Sequence, residues 1–375
     1  MKEMPVTVRR SLELLGLLAA GTLFIIGQNI IMPLLMAFFI SLMLLPVLRM
    51  LRKIKIPEAV SIFLLILLLF VVLGLIVWLF SAQIGSLITD FPQIKQNVSK
   101  HLDALSKWIA EKFDYSATEQ LKFIDEQSNS LLSSTGNILS GAANSVTGLL
   151  LFFGLIPIYI YLILLYKNLL IRFVFMWFDA EQHKSVEEGM RATEGIIKSY
   201  LIGLLIQITY ITVLLGGILF LFGIKHALLI GIIFAFLNLI PYLGALIGNI
   251  LGVLITLASS QEISDIIIVL ATIAVVQFLD NNILMPRIVG SKVKINALIA
   301  IVGVIVAGTM AGISAMFLAL PMIAILKIIF DRSEQFKQWG VLLGDERPQQ
   351  SPMKVPAFRR GKIPKEPTTQ KPIGH

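Results

Sequence analysis

A cluster of polar residues at the end of an apolar run holds the strongest candidates for chemistry. The run 263–279 is followed by Asp280, Asn281, Asn282, Pro286 and Arg287. An ionisable group in or beside a membrane span is costly unless it is hydrated or paired, so such a group is a functional candidate by default. Asp280 can take up a proton or coordinate a cation, the two amides offer neutral oxygens, and Pro286 would leave backbone carbonyls free. The alternative is that Asp280 lies among lipid headgroups and pairs with a neighbouring cation such as Arg287.

A second group of candidates lies inside the apolar run 226–260. It comprises Asn238, Pro241, Gly244 and Asn249. Proline and glycine within a membrane break helices, and the ends of half-helices form polar sites near the midplane of carriers. This pattern therefore predicts part of a substrate pathway. The alternative is a simple turn between two spans, with Asn238 and Asn249 capping helix ends.

Small residues in a third apolar run indicate packing or a hinge rather than binding. Gly308 and Gly312 are spaced as in a Gly-x-x-x-Gly contact, and Pro321 follows them. Small residues at this spacing let helix backbones approach closely in a membrane.

The elements that must position these residues are long apolar segments. Residues 59–80 contain no charge, and a stretch of about 20 apolar residues matches the hydrocarbon core of a bilayer. Similar runs occupy 11–48, 147–166, 199–222, 226–260, 263–279 and 296–326. The chain is 57% hydrophobic and only 14% charged, whereas soluble domains contain about 25% charged residues. We therefore predict an all-α polytopic integral membrane protein.

The placement of Lys and Arg predicts the topology. Basic clusters at 2–10, 49–55, 167–198 and 287–294, together with the tail, satisfy the positive-inside rule if all face the cytoplasm. Segments 11–48 and 296–326 must then be hairpins, the first turning near Gln28, Asn29 and Pro33. This arrangement predicts about eight transmembrane helices, or ten if every hairpin crosses fully, with both termini in the cytoplasm.

Four regions follow from this topology. Residues 1–80 form the first hairpin and the next span, and residues 81–146 form an extracytoplasmic insertion of amphipathic helices. Residues 147–330 are the membrane transport core, and residues 331–375 are a cytoplasmic, basic and largely disordered tail.

Several function classes are excluded or disfavoured. There is no Cys, the four His are scattered without metal-ligand spacing, and no zinc-protease, nucleophile-elbow or phosphate-loop motif occurs. We therefore expect no enzyme activity, no cofactor and no metal centre. The net charge of +8 is explained by cytoplasmic loops, so no nucleic-acid partner is predicted. Uphill transport would need an ion gradient or a partner protein.

The second half of the chain resembles the autoinducer-2 exporter (AI-2E) family of bacterial membrane proteins. The resemblance rests on FLNLIPYLGALIGNILGVL followed by QFLDNNILMPRIVGSKVKINALIAIVGVIVAGTMAGISAMFLALP. Three family motifs fall on Pro241 and Gly244; on Asp280, Asn281 and Pro286; and on Gly312, Ile313, Ala315 and Pro321. Family members often carry Pro after the position of Asn296, where this chain has Ala297.

The resemblance implies a multi-pass transporter of the bacterial cytoplasmic membrane that works without ATP and assembles as a homo-oligomer. Its expected partners are the lipid bilayer and a small polar solute, H⁺ or Na⁺. Three functions stay open, of which we favour the first: export of small polar organic molecules coupled through Asp280, monovalent cation/proton antiport, or a non-transporting membrane scaffold.

Overall fold

The fold is helical throughout the residues that the structure, a computed structural model, describes: 6–90, 93–94, 96–97, 100–101, 146–240, 243–284, 295–334 and 336–345. The helices are α1 (Val6–Lys53), α2 (Glu58–Thr89), α3 (Val146–Leu165), α4 (Lys167–Phe175), α5 (His183–Leu221), α6 (Ala227–Leu237), α7 (Leu243–Ser259), α8 (Ile263–Leu279), α9 (Ala297–Arg332) and α10 (Lys337–Leu343). A π-helical turn, Asp280–Leu284, follows α8.

The expected hairpin at 11–48 is wrong, because α1 is one helix of 48 residues. At 1.5 Å per residue it is about 72 Å long, more than twice the thickness of the hydrocarbon core. Pro33 and Pro46 lie inside it. Proline is tolerated within membrane helices because neighbouring groups can satisfy the freed carbonyl. A single helix also removes the parity argument that placed both termini on one side of the membrane.

The expected hairpin at 296–326 is confirmed within α9. The helical path breaks at Ala311 and Gly312, where Gly312 has a φ of 70° that favours glycine. A Cβ built on Gly308 would lie 3.0 Å from Cγ of Met316, eight residues further along the chain. In a straight helix these two residues would be about 12 Å apart. The arms 297–310 and 313–332 therefore pack side by side.

Helices α6 and α7 form a second hairpin within the run 226–260. Helix α6 has 11 residues and is about 16 Å long, which is too short to cross a bilayer. The tip follows Asn238, and a Cβ on Gly244 would overlap the carbonyl of Leu237, so glycine permits the close approach there. Further along α7, Gly248 lies against the ring of Phe234.

Helix α5 is the axis on which both hairpins pack. Its first half joins α1 and α9 in one apolar cluster: Met32, Phe39, Ile197, Tyr200, Leu201, Leu204, Ala315 and Leu318. Its second half joins α6 and α8 in another, which includes Ile211, Leu215, Leu219, Ile230, Phe234, Val269 and Ile273. Leu239 from the α6–α7 tip and Ala311 from the α9 tip both pack on the first cluster.

Ion pairs at the two ends of α2 mark the two faces of the bundle. At its start, Glu58 pairs with Arg52 and Lys167; at its end, Asp90 lies beside Lys225 and His226. The α6–α7 hairpin opens on the face of Asp90, which we call the insertion face.

The α9 hairpin opens on the opposite face, which we call the basic face. Arg332 at its end packs near Gly189, early in α5. Asn296 at its start donates from Nδ2 to the carbonyls of Leu342 and Gly344 in the segment that folds back. The two hairpins thus enter the bundle from opposite faces.

The expected count of eight to ten crossings is not confirmed. Among the described residues, five helices are long and apolar enough to span a membrane, or six if the bent pair α3–α4 counts as one span. One of the five is α9, counted at its full length although its path breaks at Ala311 and Gly312. Residues 102–145 of the expected insertion and 346–375 of the expected tail lie outside the described residues. The first part of that tail is ordered as α10, which packs on α9.

Candidate functional site

The carboxylate of Asp280 lies at the junction of three elements in the interior of the bundle. Asp280 is only 1% exposed. Gln207 of α5 donates from Nε2 to Oδ2 of Asp280 at 2.9 Å, and Asn238 donates from Nδ2 to the same oxygen at 3.0 Å. We call these three side chains the Asp280 centre.

Breaks in the helices bring the Asp280 centre together. Asn238 is the first residue after α6, and its buried side-chain amide reaches Asp280 from the start of the hairpin turn. Asp280 opens a π-helical turn, a feature frequent at functional sites because it re-aims side chains. Gln207 lies on the unbroken axis α5, between the two apolar clusters.

Several buried oxygens around this centre have no hydrogen-bond partner among the described residues. They are Oδ1 of Asp280, Oε1 of Gln207, the hydroxyl of Tyr210 and Oε1 of Gln277. Tyr210 lies about one helical turn after Gln207 on α5. Buried polar atoms are nearly always hydrogen-bonded in folded proteins, so a local group of such acceptors indicates a place for a proton, a cation or a hydroxyl-bearing molecule.

The structure brings two of the sequence-predicted residues together and separates others. Asp280 and Asn238, drawn from different motifs, are hydrogen-bonded. Asn249 instead donates to the carbonyl of Ala245 within α7. Asn281 and Asn282 are exposed and hydrogen-bond within their own helix, to Gln277 and Phe278 respectively.

Three predicted residues, Pro241, Pro286 and Arg287, lie outside the described residues. The alternative in which Asp280 lies among headgroups does not fit its burial between two amides. Gly308 and Gly312 lie in the α9 hairpin, in packing and at the turn respectively, and Pro321 is buried in its second arm.

Sequence reasoning missed Gln207, Tyr210 and Gln277. A signal was present, since Gln207 is the only amide in the run 199–222 and Tyr210 follows at a spacing of three, on the same helix face. Gln277 stands three residues before Asp280 in the same way. Only the tertiary structure shows that α5 meets the end of α8.

The described residues contain no group of three or more His, Asp or Glu side chains arranged to hold a metal ion. The Asp280 centre has one carboxylate and otherwise neutral groups.

Comparisons with known proteins identify the family of the chain. A family model described as AI-2E family transporter matches residues 14–335. YrrI of Bacillus subtilis, whose name describes it as an inferred transport protein, is 24% identical to this chain. The match covers 82% of this chain and 87% of YrrI. YueF of the same organism, named in the same way, is 28% identical over 81% of this chain and 84% of its own length. The AI-2 transport protein TqsA of Escherichia coli is 24% identical over 89% of this chain and 94% of its own length.

Proposed function

The chain belongs to the AI-2E transporter family, and on that premise we propose that it is a secondary transporter that exports small polar organic molecules, driven by an ion gradient. The observation that carries the proposal is the Asp280 centre, a buried carboxylate held by one amide from α5 and one from the tip of the α6–α7 hairpin. Residues 14–335, which match the family, include both hairpins and this centre.

The opposed entry of the two hairpins supports a transport cycle. The α6–α7 hairpin opens on the insertion face and its tip supplies Asn238, while the α9 hairpin opens on the basic face and its tip packs on the same apolar cluster as Leu239. Withdrawal of one tip at a time would expose Asp280 to one side of the membrane and then to the other. Alternating access in secondary transporters works by such movements around a fixed site.

The polar groups of the site favour a hydroxyl-bearing cargo. Apart from Asp280, the nearby acceptors are the neutral oxygens of Gln207 and Tyr210, which can receive hydrogen bonds from hydroxyl groups. The relative TqsA is named as an AI-2 transport protein, which supports a small polar signalling molecule as cargo. Asp280 would couple this movement to the gradient by gaining and losing a proton. All the relatives reported above are bacterial, which supports the cytoplasmic membrane of a bacterium as the location.

Transport by purified protein in liposomes tests the proposal. Vesicles are loaded with the small metabolites of the spent medium, a pH gradient is imposed, and the solutes that leave are identified by mass spectrometry. We expect the wild type to release a hydroxyl-rich solute and to move protons with it. Asp280→Asn should lower this flux at least tenfold, because the amide can no longer bind and release a proton.

The matched control is Asp265→Asn, the same change in the first turn of the same helix α8. This variant should transport as the wild type does. Proton flux triggered by Na⁺ or Li⁺ without solute release would contradict the proposed cargo and support antiport. Folded protein with neither flux would support a scaffold.

A further inference from the structure

Among the residues that the structure describes, none packs on helix α4 closely enough to bury a residue of it. It has nine residues, is about 14 Å long, and is bent by 66° from the end of α3. Since α3 is an apolar helix that crosses the bundle, a helix turned by this angle runs closer to the membrane plane than to its normal. None of the residues of α4 is buried.

The surface of α4 and of the segment after it is mostly apolar. Leu169, Leu170 and Phe173 are exposed, and Met176 and Trp177 are 76% and 74% exposed. Several large apolar side chains at such exposure in a short segment are typical of a helix that lies in the interface between headgroups and acyl chains. Tryptophan in particular concentrates at this depth.

Cations surround the start of α4. Glu58 bridges Arg52 and Lys167, so the turn between α1 and α2 lies directly beside α4. Three further cations near this junction, namely Lys53, Lys55 and Arg172, are exposed and form no ion pair with any residue that the structure describes. Glu58 is the single carboxylate within this group, and it is already paired.

We infer that α4 and the α1–α2 turn form a binding surface for the headgroups of anionic phospholipids. The apolar side chains of α4 and Trp177 would lie at the boundary of the acyl chains, and Lys53, Lys55 and Arg172 would meet phosphate groups at the same depth. Charge complementarity selects this occupant, because each basic residue next to a membrane raises the affinity for an anionic lipid surface about fivefold. The inference is independent of the proposed cargo, since none of these residues touches the Asp280 centre.

Fluorescence of Trp177 tests the inference in the full-length protein. The other three tryptophans, Trp78, Trp108 and Trp339, are replaced by Phe, and the protein is reconstituted in phosphatidylcholine vesicles. A minor fraction of either phosphatidylglycerol or phosphatidylcholine carries brominated acyl chains, which quench tryptophan at short range. We expect brominated phosphatidylglycerol to quench Trp177 at least threefold more efficiently at equal mole fraction, and 1 M salt to reduce the difference.

Arg172→Gln should remove most of the preference for brominated phosphatidylglycerol. The double variant Lys53→Gln and Lys55→Gln should remove more of it. The matched control is Arg191→Gln, an exposed arginine of α5 that pairs with Glu187, and it should keep the preference. Equal quenching by the two brominated lipids would overturn the inference, because immersion would then be independent of charge. Two other results would also overturn it: quenching by aqueous acrylamide alone, or shielding from both quenchers, which would mean that another chain covers α4.

Discussion

At the scale of single residues, two side-chain amides hydrogen-bond the buried carboxylate of Asp280. A buried carboxylate in an apolar bundle is costly unless hydrogen bonds replace its hydration. Gln207 and Asn238 both donate to Oδ2, which leaves Oδ1 as the oxygen that can bind a proton or a cargo hydroxyl. Under the proposed function the two oxygens of this carboxylate would have different roles. Gln207 is the partner supplied by the unbroken helix α5.

Replacing Gln207 with Leu should impair both transport and stability. The change removes one hydrogen bond to a charged group, and such bonds contribute about 1.5–3 kcal/mol. We expect a lower midpoint of thermal unfolding in detergent and at least a tenfold loss of transport. Thr209→Val, two residues along α5, is the control, because Thr209 is exposed and bonds only to the carbonyl of Leu205. Wild-type flux in Gln207→Leu would rule out a role for this residue in the Asp280 centre.

His226 should make the insertion face sensitive to acid. Its side chain is 3% exposed and its Nε2 lies 3.2 Å from Oδ2 of Asp90, without the alignment of a hydrogen bond. Burial lowers the pKa of His226 below its ordinary value of 6.5, Lys225 lowers it further, and Asp90 opposes both effects. The folded protein therefore binds this proton less tightly than the unfolded chain.

Stability should then fall as the pH drops through 6.5, because the unfolded chain takes up the proton first. Thermal unfolding measured from pH 8 to pH 5 checks this expectation, with His226→Gln as the comparison. The wild type should lose more of its unfolding free energy over this interval than the variant does. Identical pH profiles for the two proteins would show that another group causes the acid sensitivity.

At the scale of elements, the two hairpins both reverse the chain within the apolar bundle, but different local sequences make the two turns. The α6–α7 hairpin turns after Asn238 and needs Gly244 for the close approach of its arms, whereas α9 turns at Gly312 with a positive φ. Both turns expose backbone or side-chain polar groups within the apolar bundle. Such breaks are tolerated at membrane depth only where protein surrounds them.

A disulfide should form within the α9 hairpin of the double variant Gly308→Cys and Met316→Cys. The Cβ of residue 308 would lie 3.0 Å from Cγ of Met316, which is compatible with disulfide geometry. The chain has no Cys, so only the introduced pair can react. Oxidation is measured by mass spectrometry after proteolysis.

The control pair is Leu68→Cys and Ile76→Cys, also eight residues apart but in the continuous helix α2, where no disulfide should form. A failure of the α9 pair to oxidise, with both thiols reactive towards a maleimide, would mean that α9 continues straight through residue 312.

At the scale of the whole molecule, the start of the insertion ties together the turns on the insertion face. Asn97 is 1% exposed, donates from Nδ2 to the carbonyl of Ala258 at 3.1 Å, and accepts from Nε2 of Gln261 at the same distance. His101 lies 2.9 Å from the carbonyl of Ser260, between α7 and α8. The base of the α6–α7 hairpin is therefore fixed from outside the transport core.

Asn97→Ala should loosen this attachment. The change leaves a buried carbonyl and an amide without a partner, at a cost of about 1–3 kcal/mol. We expect faster hydrogen exchange at residues 256–264 and little change on the basic face. Lys100→Ala, which removes only an exposed hydrogen bond to Gln261, should have a smaller effect. Unchanged exchange in Asn97→Ala would mean that other contacts hold the turn.

Assembly into a homo-oligomer stays a prediction of the family resemblance. Native mass spectrometry of the protein in nanodiscs measures the number of copies directly. A single copy that still transports would contradict this expectation.

The sequence by itself determined the membrane class, the location of the polar motifs and one of the two long-range turns. Uninterrupted apolar runs cannot be stable in water, and Asp280 at the end of one of them is conspicuous because charge is rare beside a membrane span. Basic clusters on both sides of the run 296–326 predicted the α9 hairpin, and Gly308 and Gly312 were predicted as packing or a hinge within it. Gln28, Asn29 and Pro33 suggested a turn in the same way, yet α1 continues through them.

Only the tertiary structure decided which polar residues meet. Asn238 and Asp280 are 42 positions apart, and Gln207 lies 73 positions before Asp280, so no local period relates them. Their meeting depends on the depth that each hairpin reaches along α5, which packing sets. The same packing directs Asn249, Asn281 and Asn282 away from the centre, although these side-chain amides have the same capacity for hydrogen bonding as that of Asn238.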